Sequence, residues 1–296
     1  MMHRALFAAV LLFALLPFGC GDAGGADGAA ELRCNGHAAL CGRRLDEVTL
    51  AATHNAMSSA EAGFVAPNQN LGLARQLEDG IRGLLLDVHS WEGHEGLWLC
   101  HGLCELGATP LADGLGVIAA FLEAHPSEVL VVVVEDHAPA ADLDAAFVAA
   151  GLERWLYVHD ATARWPTLGA LVEADTRLVV GAESAGPPPA WLHHAWDVMW
   201  DTPYSFERPE DFSCACSRGC PSRQGQLFLV NHWLSTPLAA PEQAAATNAY
   251  DRLYGRAATC RDDSGFQPTL LAVDFYDVGD LFAVVDALNG IAAEAR

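Results

Sequence analysis

Lysine is absent from this chain: all 16 basic residues are arginines, and they face 38 acidic residues. Without lysine there is no P-loop lysine, no Schiff-base lysine and no Ser–Lys dyad, which excludes several classes of nucleotide-binding and covalent-catalysis enzymes. The formal net charge of −22 also argues against nonspecific nucleic-acid binding, which depends on clustered positive charge. A strongly anionic membrane surface is disfavoured as a docking partner for the same reason.

Several catalytic motifs and a membrane-spanning run are also missing. The chain has no GxSxG, no HExxH and no Rossmann glycine pattern. Its N-terminal apolar run holds roughly a dozen residues, short of the ~20 that span a bilayer. Hydrophobic residues are abundant, at 52% of 296, so the chain can bury a substantial core and is not disordered over most of its length.

The N-terminus is predicted to be an export signal. His3 and Arg4 precede the apolar run, so residues 1–19 fit a secretory signal peptide. The residues before Cys20 resemble a bacterial lipobox, in which the cysteine is lipidated after cleavage. The alternative is ordinary signal cleavage with Cys20 unmodified. Residues 20–33 follow as a flexible tether, and we expect an exported protein, secreted or lipid-anchored at the bacterial cell envelope.

Cysteine usage agrees with export. Eight cysteines remain after Cys20, and an even number in an exported chain favours disulfides. Close spacing suggests the pairs Cys34–Cys41 and Cys100–Cys104. The remaining two bridges are predicted among four later cysteines: Cys214, Cys216, Cys220 and Cys260. The alternative is a zinc knot within 214–220, but its CxC and CxxxC spacings fit zinc poorly.

Residues 34–296 are predicted to form one α/β domain, a TIM-type (β/α)8 barrel, irregular in places, with a disulfide-rich loop. The length is close to the ~250 residues of such barrels. Eight short apolar runs have the pattern of buried parallel strands, at 48–53, 81–88, 97–101, 129–135, 177–183, 196–200, 227–232 and 270–276. Helical patterns lie near 69–79, 111–125, 140–150, 167–175, 239–258 and 279–294.

Polar residues stand at the carboxyl ends of seven of the eight predicted strands, where barrel active sites are built. They are His54, Asn55, Asp87, His101, Glu135, Glu183, Asn231, His232 and Asp274. A single charged residue at a strand end is often only a helix cap or a loop anchor. The repetition on seven strands instead predicts an active-site mouth.

The residue types at this mouth suit acid–base chemistry near a cation. His54 and His101 can serve as general base and general acid. Asp274 can orient one imidazole and stabilise its charged form. The oxygen donors Asn55, Asp87 and Glu135 suit a hard divalent cation such as Ca²⁺ or Mg²⁺. An anionic mouth repels a phosphodiester unless a cation intervenes.

Four segments, in order, resemble the X-domain of phosphatidylinositol-specific phospholipase C: THNAM (53–57), QLEDGIRGLLLDVH (76–89), LWLCHG (97–102) and EVLVVVVEDH (128–137). More narrowly, the chain resembles secreted bacterial and fungal phospholipase-C-like phosphodiesterases. Those share stretches similar to WPTL (165–168), FLVNHW (228–233) and AVDFYDVGDL (272–281). The resemblance covers roughly residues 45–290 and implies a TIM-type barrel that cleaves a phosphodiester by acid–base catalysis.

The resemblance also implies roles for individual residues. His54 corresponds to the base or transition-state stabiliser, and His101 to the acid that protonates the leaving oxygen. Arg82 follows the family's G-x-R pattern and is a third catalytic candidate beside them.

The resemblance further implies a metal. Metal-independent bacterial members have an aspartate directly after the first histidine and an arginine at the position of Asp87. Asn55 and Asp87 are instead the pattern of the calcium-dependent members, and Glu135 matches the family's later metal-binding glutamate. Ca²⁺, or Mg²⁺, is therefore the expected cofactor.

Leu85 departs from that pattern, because calcium-dependent members have an acid two residues before Asp87. Side chains alternate along a strand, so Leu85 faces the site and removes one expected ligand. This leaves two alternatives: an impaired barrel acting as a surface binding module, or a glycerophosphodiesterase-like or sphingomyelinase-D-like enzyme. The latter families need an acid–x–acid pair, which Leu85 also breaks. The expected partners are a phospholipid or related phosphodiester and a membrane reached by the lipid anchor, with no nucleic acid; the protein is expected to be a monomer.

Overall fold

The structure is a computed structural model that describes residues 31–221, 225–235 and 239–292. The predicted signal peptide, Cys20 and the tether up to residue 30 lie outside the described residues. Within the described part of the chain, no helix is long and apolar enough to cross a membrane.

Ten β-strands form one sheet in the described residues. Two of them, β3 (Leu97–Cys100) and β4 (Ala108–Pro110), are antiparallel. The eight parallel strands are β1 (Leu50–Thr53), β2 (Gly83–Ser90), β5 (Leu130–His137), β6 (Leu178–Ala182), β7 (Leu192–His194), β8 (Met199–Asp201), β9 (Leu227–His232) and β10 (Leu270–Val273). Most are runs of Val, Leu and Ala, which suit strands covered on both faces.

Helices connect most of the parallel strands. They are α1 (Ala38–Cys41), α2 (Leu73–Asp79), α3 (Leu111–Ala124), α4 (Ala140–Ala149), α5 (Leu168–Glu173), α6 (Ala195–Val198), α7 (Pro241–Thr247), α8 (Tyr250–Ser264) and α9 (Leu281–Leu288). The predicted helix over 239–258 is in fact two helices. The chain turns between them at Asn248, whose amide donates to the carbonyls of Asp274 and Val278.

The strand order is that of an irregular barrel. It runs β7-β6-β5-β2-β1-β10-β9-β8, with parallel neighbours throughout. Because β1 pairs with both β2 and β10, the beginning and the end of the chain meet in the sheet. No pairing joins β7 to β8 in the described ranges, so the barrel is open at this seam, which α6 crosses. The predicted (β/α)8 architecture is confirmed, with the irregularity at this seam.

Two strand predictions were wrong. The run 97–101 is not a barrel strand: β3 pairs antiparallel with the long end of β2, and β4 pairs antiparallel with β3. The run 196–200 is split between α6 and β8. The barrel strand that prediction missed is β7, which has three residues and therefore too little length for a periodic pattern.

Alternate residues of each strand face the barrel interior and the surrounding helices. Val129, Val131 and Val133 pack in an interior cluster with residues of β1, β9 and β10. Leu130, Val132 and Val134 pack outward against helix residues such as those of α3. At Gly83, a Cβ atom would lie 2.6 Å from the Cβ of Ala52, so the contact of β1 with β2 requires glycine there.

All four predicted disulfides are present. Close spacing correctly gave two pairs, Cys34–Cys41 and Cys100–Cys104. The other bridges are Cys214–Cys260 and Cys216–Cys220. Cys214–Cys260 ties the loop after β8 to α8, and Cys216–Cys220 closes a small loop around Arg218. The zinc-knot alternative for 214–220 is wrong, because its cysteines are bonded to one another or to Cys260.

Candidate active site

His54 lies directly after β1 and is held by the strand beside it. Its backbone N–H donates to the carbonyl of Val273, and its Nδ1–H donates to Oδ1 of Asp274 at 2.8 Å. Asp274 follows β10, which is the neighbour of β1, so the barrel closure itself brings the two residues together. The carboxylate accepts a second bond from Asn68 at 3.2 Å. This arrangement fixes the tautomer of His54 and leaves its Nε2 toward the cavity.

His101 follows β3 and stands across from His54. The two ring centroids are 6.5 Å apart and the rings are nearly perpendicular. Burial lowers the pKa of His101, the charge of His54 lowers it further, and Asp274 and Glu135 act in the opposite sense. Gly102, with φ of +71°, lets the chain turn sharply after the histidine. The antiparallel β3–β4 hairpin, not a barrel strand, therefore supplies the second histidine.

Asn55 sits between the histidines and Asp87. It is buried, and its φ of +44° is tolerated by asparagine better than by most residues. Its amide lies 3.1 and 3.3 Å from the two carboxylate oxygens of Asp87, and 3.2 and 3.1 Å from Nε2 of His54 and His101. With the amide nitrogen toward Asp87, that nitrogen donates to the carboxylate, and the amide oxygen can accept from Nε2–H of His101 and, once His54 is protonated, from Nε2–H of His54.

Asp87 and Glu135 occupy paired positions on β2 and β5. Burial raises the pKa of Asp87 well above its usual range, and the charges of Glu135 and Glu183 raise it further. The Glu135 carboxylate is half exposed and accepts a bond from Nε2 of His137 at 2.8 Å. No three His, Cys, Asp or Glu side chains of the described residues form a ready metal-binding group.

Two cavities open at this end of the barrel. The first, which we call the histidine cavity, has about 430 Å³ and is lined by His54, Phe64, Val65, Ala66, Asn68, His101, Leu106, Gly107, Tyr204, Trp233, Leu234, Ser235, Ala239 and Asp274. The second, the acidic cavity, has about 190 Å³ and is lined by His54, Asn55, Leu85, Leu86, Asp87, Val133, Glu135, Glu183, Tyr204, Arg218, Asn231 and Trp233. His54, Tyr204 and Trp233 border both.

Arg218 is a cation of the acidic cavity that sequence reasoning missed. Its guanidinium donates to Asp201 through Nε and Nη2 and to Glu183 through Nη1, and the Trp196 and Tyr204 rings flank it at 4.0 and 4.4 Å. Burial raises the pKa of Glu183 to about 7, although Arg218 opposes the shift. Arg218 thus links the ends of β6 and β8 across the open seam.

The predicted site residues divide into three groups. Five of them come together around the two cavities: His54, Asn55, Asp87, His101 and Asp274. Three more line the acidic cavity: Glu135, Glu183 and Asn231. His232 is fully buried and bonded to Thr247. Arg82 is not at the site: it precedes β2, and its side chain donates to Glu128 and to the carbonyls of Leu77 and Ile81.

Asn68 and Trp233 were also missed from the sequence. Asn68 belongs to the polar triplet Asn68–Asn70 in the loop after β1, a signal that could have marked a buried hydrogen-bonding residue. Trp233 stacks on His54, with ring centroids 3.7 Å apart and an interplanar angle of 4°. It lies one residue beyond the FLVNH strand, but nothing in its local pattern indicates the contact.

Known proteins share this sequence pattern. The family model PI-PLC X 1 matches residues 40–289. A PI-PLC X domain-containing protein of Arabidopsis thaliana is 29% identical over 275 residues, which are 84% of this chain and 63% of that protein. PI-PLC X domain-containing protein 1 of Arthroderma benhamiae is 27% identical over 286 residues, covering 89% of this chain and 91% of its own length. The chain thus spans less than two thirds of the plant relative.

Solved structures share the fold. The phosphatidylinositol-specific phospholipase C of Listeria monocytogenes superposes with a TM-score of 0.57 at 17% identity, covering 84% of this chain and 94% of that one. The Staphylococcus aureus enzyme of the same name gives 0.58 at 13% identity, covering 86% and 95%. With the family match over most of its length, this chain belongs to the PI-PLC X domain family.

Proposed function

We propose that this protein is a phosphoric diester hydrolase that cleaves a phospholipid or a related phosphodiester. The observation that carries the proposal is the pair His54 and His101 across one cavity, with Asp274 bonded to the Nδ1 of His54. Two imidazoles on opposite sides of a small cavity can serve a reaction that removes one proton and supplies another.

In the proposed mechanism, Nε2 of His54 takes the proton of the attacking hydroxyl. Asp274 holds the ring in the required tautomer and stabilises the imidazolium that results. His101 donates its proton to the oxygen of the departing group. Burial and the charge of His54 lower the pKa of His101, which favours its neutral form in the free protein. A bound anionic phosphodiester is expected to favour the protonated form, which can donate the proton.

We further propose that a divalent cation, Ca²⁺ or Mg²⁺, assists the reaction and is held by Asn55, Asp87 and Glu135. The donor set fits: the Asn55 amide nitrogen lies 3.1 and 3.3 Å from the two oxygens of Asp87, so the two side chains are adjacent, and rotation of the amide would present its oxygen to a cation beside the Asp87 carboxylate. Burial raises the pKa of Asp87, and the nearby charges of Glu135 and Glu183 raise it further, so a cation beside these carboxylates would favour their charged forms. When bound, the cation supplies charge for the phosphate oxygens.

A second candidate is a surface binding module without turnover. Leu85 favours it, because this side chain lines the acidic cavity where an acid would complete the donor set. The same leucine weighs against a glycerophosphodiesterase-like or sphingomyelinase-D-like activity, which needs an acid–x–acid pair on this strand.

Export is also part of the proposal. Four disulfides join the eight cysteines that follow Cys20, as in proteins that fold in oxidising compartments. A relative from Arthroderma benhamiae, 26% identical over 89% of this chain and 65% of its own length, is named an uncharacterized secreted protein. We propose that this chain is secreted or lipid-anchored through Cys20, acts on its substrate as a monomer, and binds no nucleic acid.

The test is a panel of phosphodiesters incubated with purified protein, followed by ³¹P NMR, with Ca²⁺ or with EDTA. The wild type is expected to hydrolyse at least one member. His54→Ala and His101→Ala should each reduce turnover by about 10²–10⁴-fold. His125→Ala, which alters a surface histidine bonded to Glu78, is the matched control and should stay active. Equal activity of all four proteins contradicts the mechanism; binding without turnover supports the second candidate.

A further inference from the structure

Trp233 covers one face of the His54 ring. It is the first residue after β9, its side chain is almost fully buried, and its indole lies parallel to the imidazole at 3.7 Å. Full face-to-face overlap is less common between rings than offset or edge-on contact, so the placement here is a product of the surrounding structure.

His54 is thereby held on three sides. Asp274 binds Nδ1, the Asn55 amide lies 3.2 Å from Nε2, and Trp233 blocks one face. The two hydrogen-bonding contacts lie at the edges of the ring, so they fix its position but resist tilting weakly. A flat aromatic surface resists tilting directly, because any tilt drives ring atoms into it.

The backbone that carries Trp233 is held in place by buried hydrogen bonds. The preceding residue, His232, is fully buried and its Nε2–H donates to the carbonyl of Thr247 at 2.9 Å. Burial, aided by the charge of Arg256, lowers the pKa of His232 to about 3, so it stays neutral. Nη1 of Arg256 donates to the carbonyl of Asn231 at 2.6 Å. These buried bonds secure the end of β9 and leave Trp233 little freedom to move.

Trp233 also borders both cavities, together with His54 and Tyr204. The carboxylates and Arg218, which could contact a polar group of the substrate, line the acidic cavity, whereas His101 lines the histidine cavity. A residue at this boundary can set the direction in which Nε2 points without supplying the charged contacts that hold the substrate.

We propose that Trp233 is a positioning residue for His54: its indole keeps the imidazole plane aligned for proton transfer. The inference rests on the proposed function, because it assigns Trp233 a part in that reaction. Loss of the indole lets the imidazole tilt, and a small misplacement of a reacting group lowers turnover strongly while leaving substrate binding nearly unchanged.

The kinetic test compares Trp233→Leu, Trp233→Phe and a control on a soluble short-chain phosphodiester. Trp233→Leu should lower kcat by about 10–100-fold with KM changed by less than about threefold. Trp233→Phe keeps a flat ring and should recover most of the kcat. The control is Trp91→Leu, because Trp91 also stacks on a histidine, His94, at 3.7 Å but outside both cavities; it should leave kcat unchanged.

A second measurement does not depend on turnover. In protein labelled at histidine, the ring protons of His54, assigned by their absence in His54→Gln, should be shifted upfield by the ring current of Trp233. Trp233→Leu should remove that shift, and Trp91→Leu should move only the signals of His94. Unchanged His54 signals in Trp233→Leu overturn the stacking and with it the inference.

The outcomes separate the two proposals. If the wild type is active and Trp233→Leu keeps its kcat, or if Trp233→Phe is no better than Trp233→Leu, the positioning role is wrong and the proposed function stands. If the wild type hydrolyses no phosphodiester, the proposed function fails and the positioning role fails with it.

Discussion

The two cavities at the barrel mouth differ in how well their polar groups are satisfied. In the histidine cavity, His54, Asp274 and Asn68 form a connected set of hydrogen bonds between largely apolar walls. In the acidic cavity, Asp87, Glu135 and Glu183 face one another, and Arg218 is already bonded to Glu183 and Asp201. One cavity is organised before any ligand arrives, and the other gathers three carboxyl groups, two of which have raised pKa values, around Arg218.

This difference indicates which cavity can act on a substrate directly and which one would be stabilised by a bound cation. A preorganised set of donors and acceptors can act on a substrate directly. Burial raises the pKa of Asp87 and Glu183 and so disfavours their charged forms, which a bound cation would stabilise. We therefore expect changes in the histidine cavity to affect turnover most, and changes in the acidic cavity to affect metal binding and stability.

The largest effect is expected from Asp274→Asn. An amide in place of the carboxylate can donate to Nδ1 of His54 and so favours the wrong tautomer, which should reduce kcat by about 10²–10⁴-fold. Asp277→Asn is the matched control, because Asp277 accepts from the Asn70 side chain, does not line either cavity and should leave kcat unchanged. Equal kinetics for the two variants in the phosphodiester assay contradict the assigned role of Asp274.

The next effect concerns the cation. Leu85→Glu adds a carboxylate to the face shared by Leu85 and Asp87, so calorimetric titration should show Ca²⁺ binding tighter by about tenfold, since affinity rises with ligand charge. Asp87→Asn should weaken Ca²⁺ binding by at least the same factor. If Asp87→Asn binds Ca²⁺ as the wild type does, the cation does not occupy the acidic cavity.

Glu183→Gln should change the pH dependence of stability. Unfolded Glu183 loses its proton near pH 4.5, whereas folded Glu183 keeps it to about pH 7. The unfolding free energy of the wild type should therefore fall as pH rises between these values, by up to about 3 kcal/mol from this group. Glu183→Gln removes that contribution, and the exposed Glu173→Gln, as control, does not. Urea unfolding at pH 5, 6, 7 and 8 measures the difference; parallel curves for wild type and Glu183→Gln contradict it.

The smallest effect is expected at the apolar rim of the histidine cavity. Val65 and Leu106 are exposed by 63% and 47%, and the N–H of Val65 donates to the carbonyl of Leu106. Val65→Ser should alter turnover of a soluble substrate less than about twofold but lower activity on phospholipid vesicles several-fold, because apolar surface contributes to lipid contact. Val158→Ser, 54% exposed and away from both cavities, is the control. Equal losses on both substrates rule out a role in lipid contact.

Much of the fold was predictable because long apolar strands leave a clear pattern. The run at 129–135 becomes β5, and Asp87 and Glu135 lie at paired positions of β2 and β5, where the alternation of side chains points both to the same mouth. The three-residue β7 carries no such pattern, and the run before His101 is equally apolar whether it joins the barrel or a hairpin. Arg82 was placed by resemblance alone, and its bonds lie at the other end of β2.

The remaining site residues were unpredictable for a physical reason. Arg218 reaches the acidic cavity through a loop closed by Cys216–Cys220. Trp233 reaches His54 because β9 and β1 both pair with β10, one on each side. Both contacts depend on tertiary placement, which local periodicity does not record.

The assignment of His54 as the base and His101 as the acid is tested most directly by changing how much the leaving group needs a proton. Wild type, His54→Ala and His101→Ala are assayed on an alkyl phosphodiester and on a p-nitrophenyl phosphodiester, whose leaving group departs without a proton. We expect the defect of His101→Ala largely to disappear on the p-nitrophenyl substrate, while the defect of His54→Ala persists. Equal defects of both variants on both substrates would contradict the roles assigned to the histidine cavity.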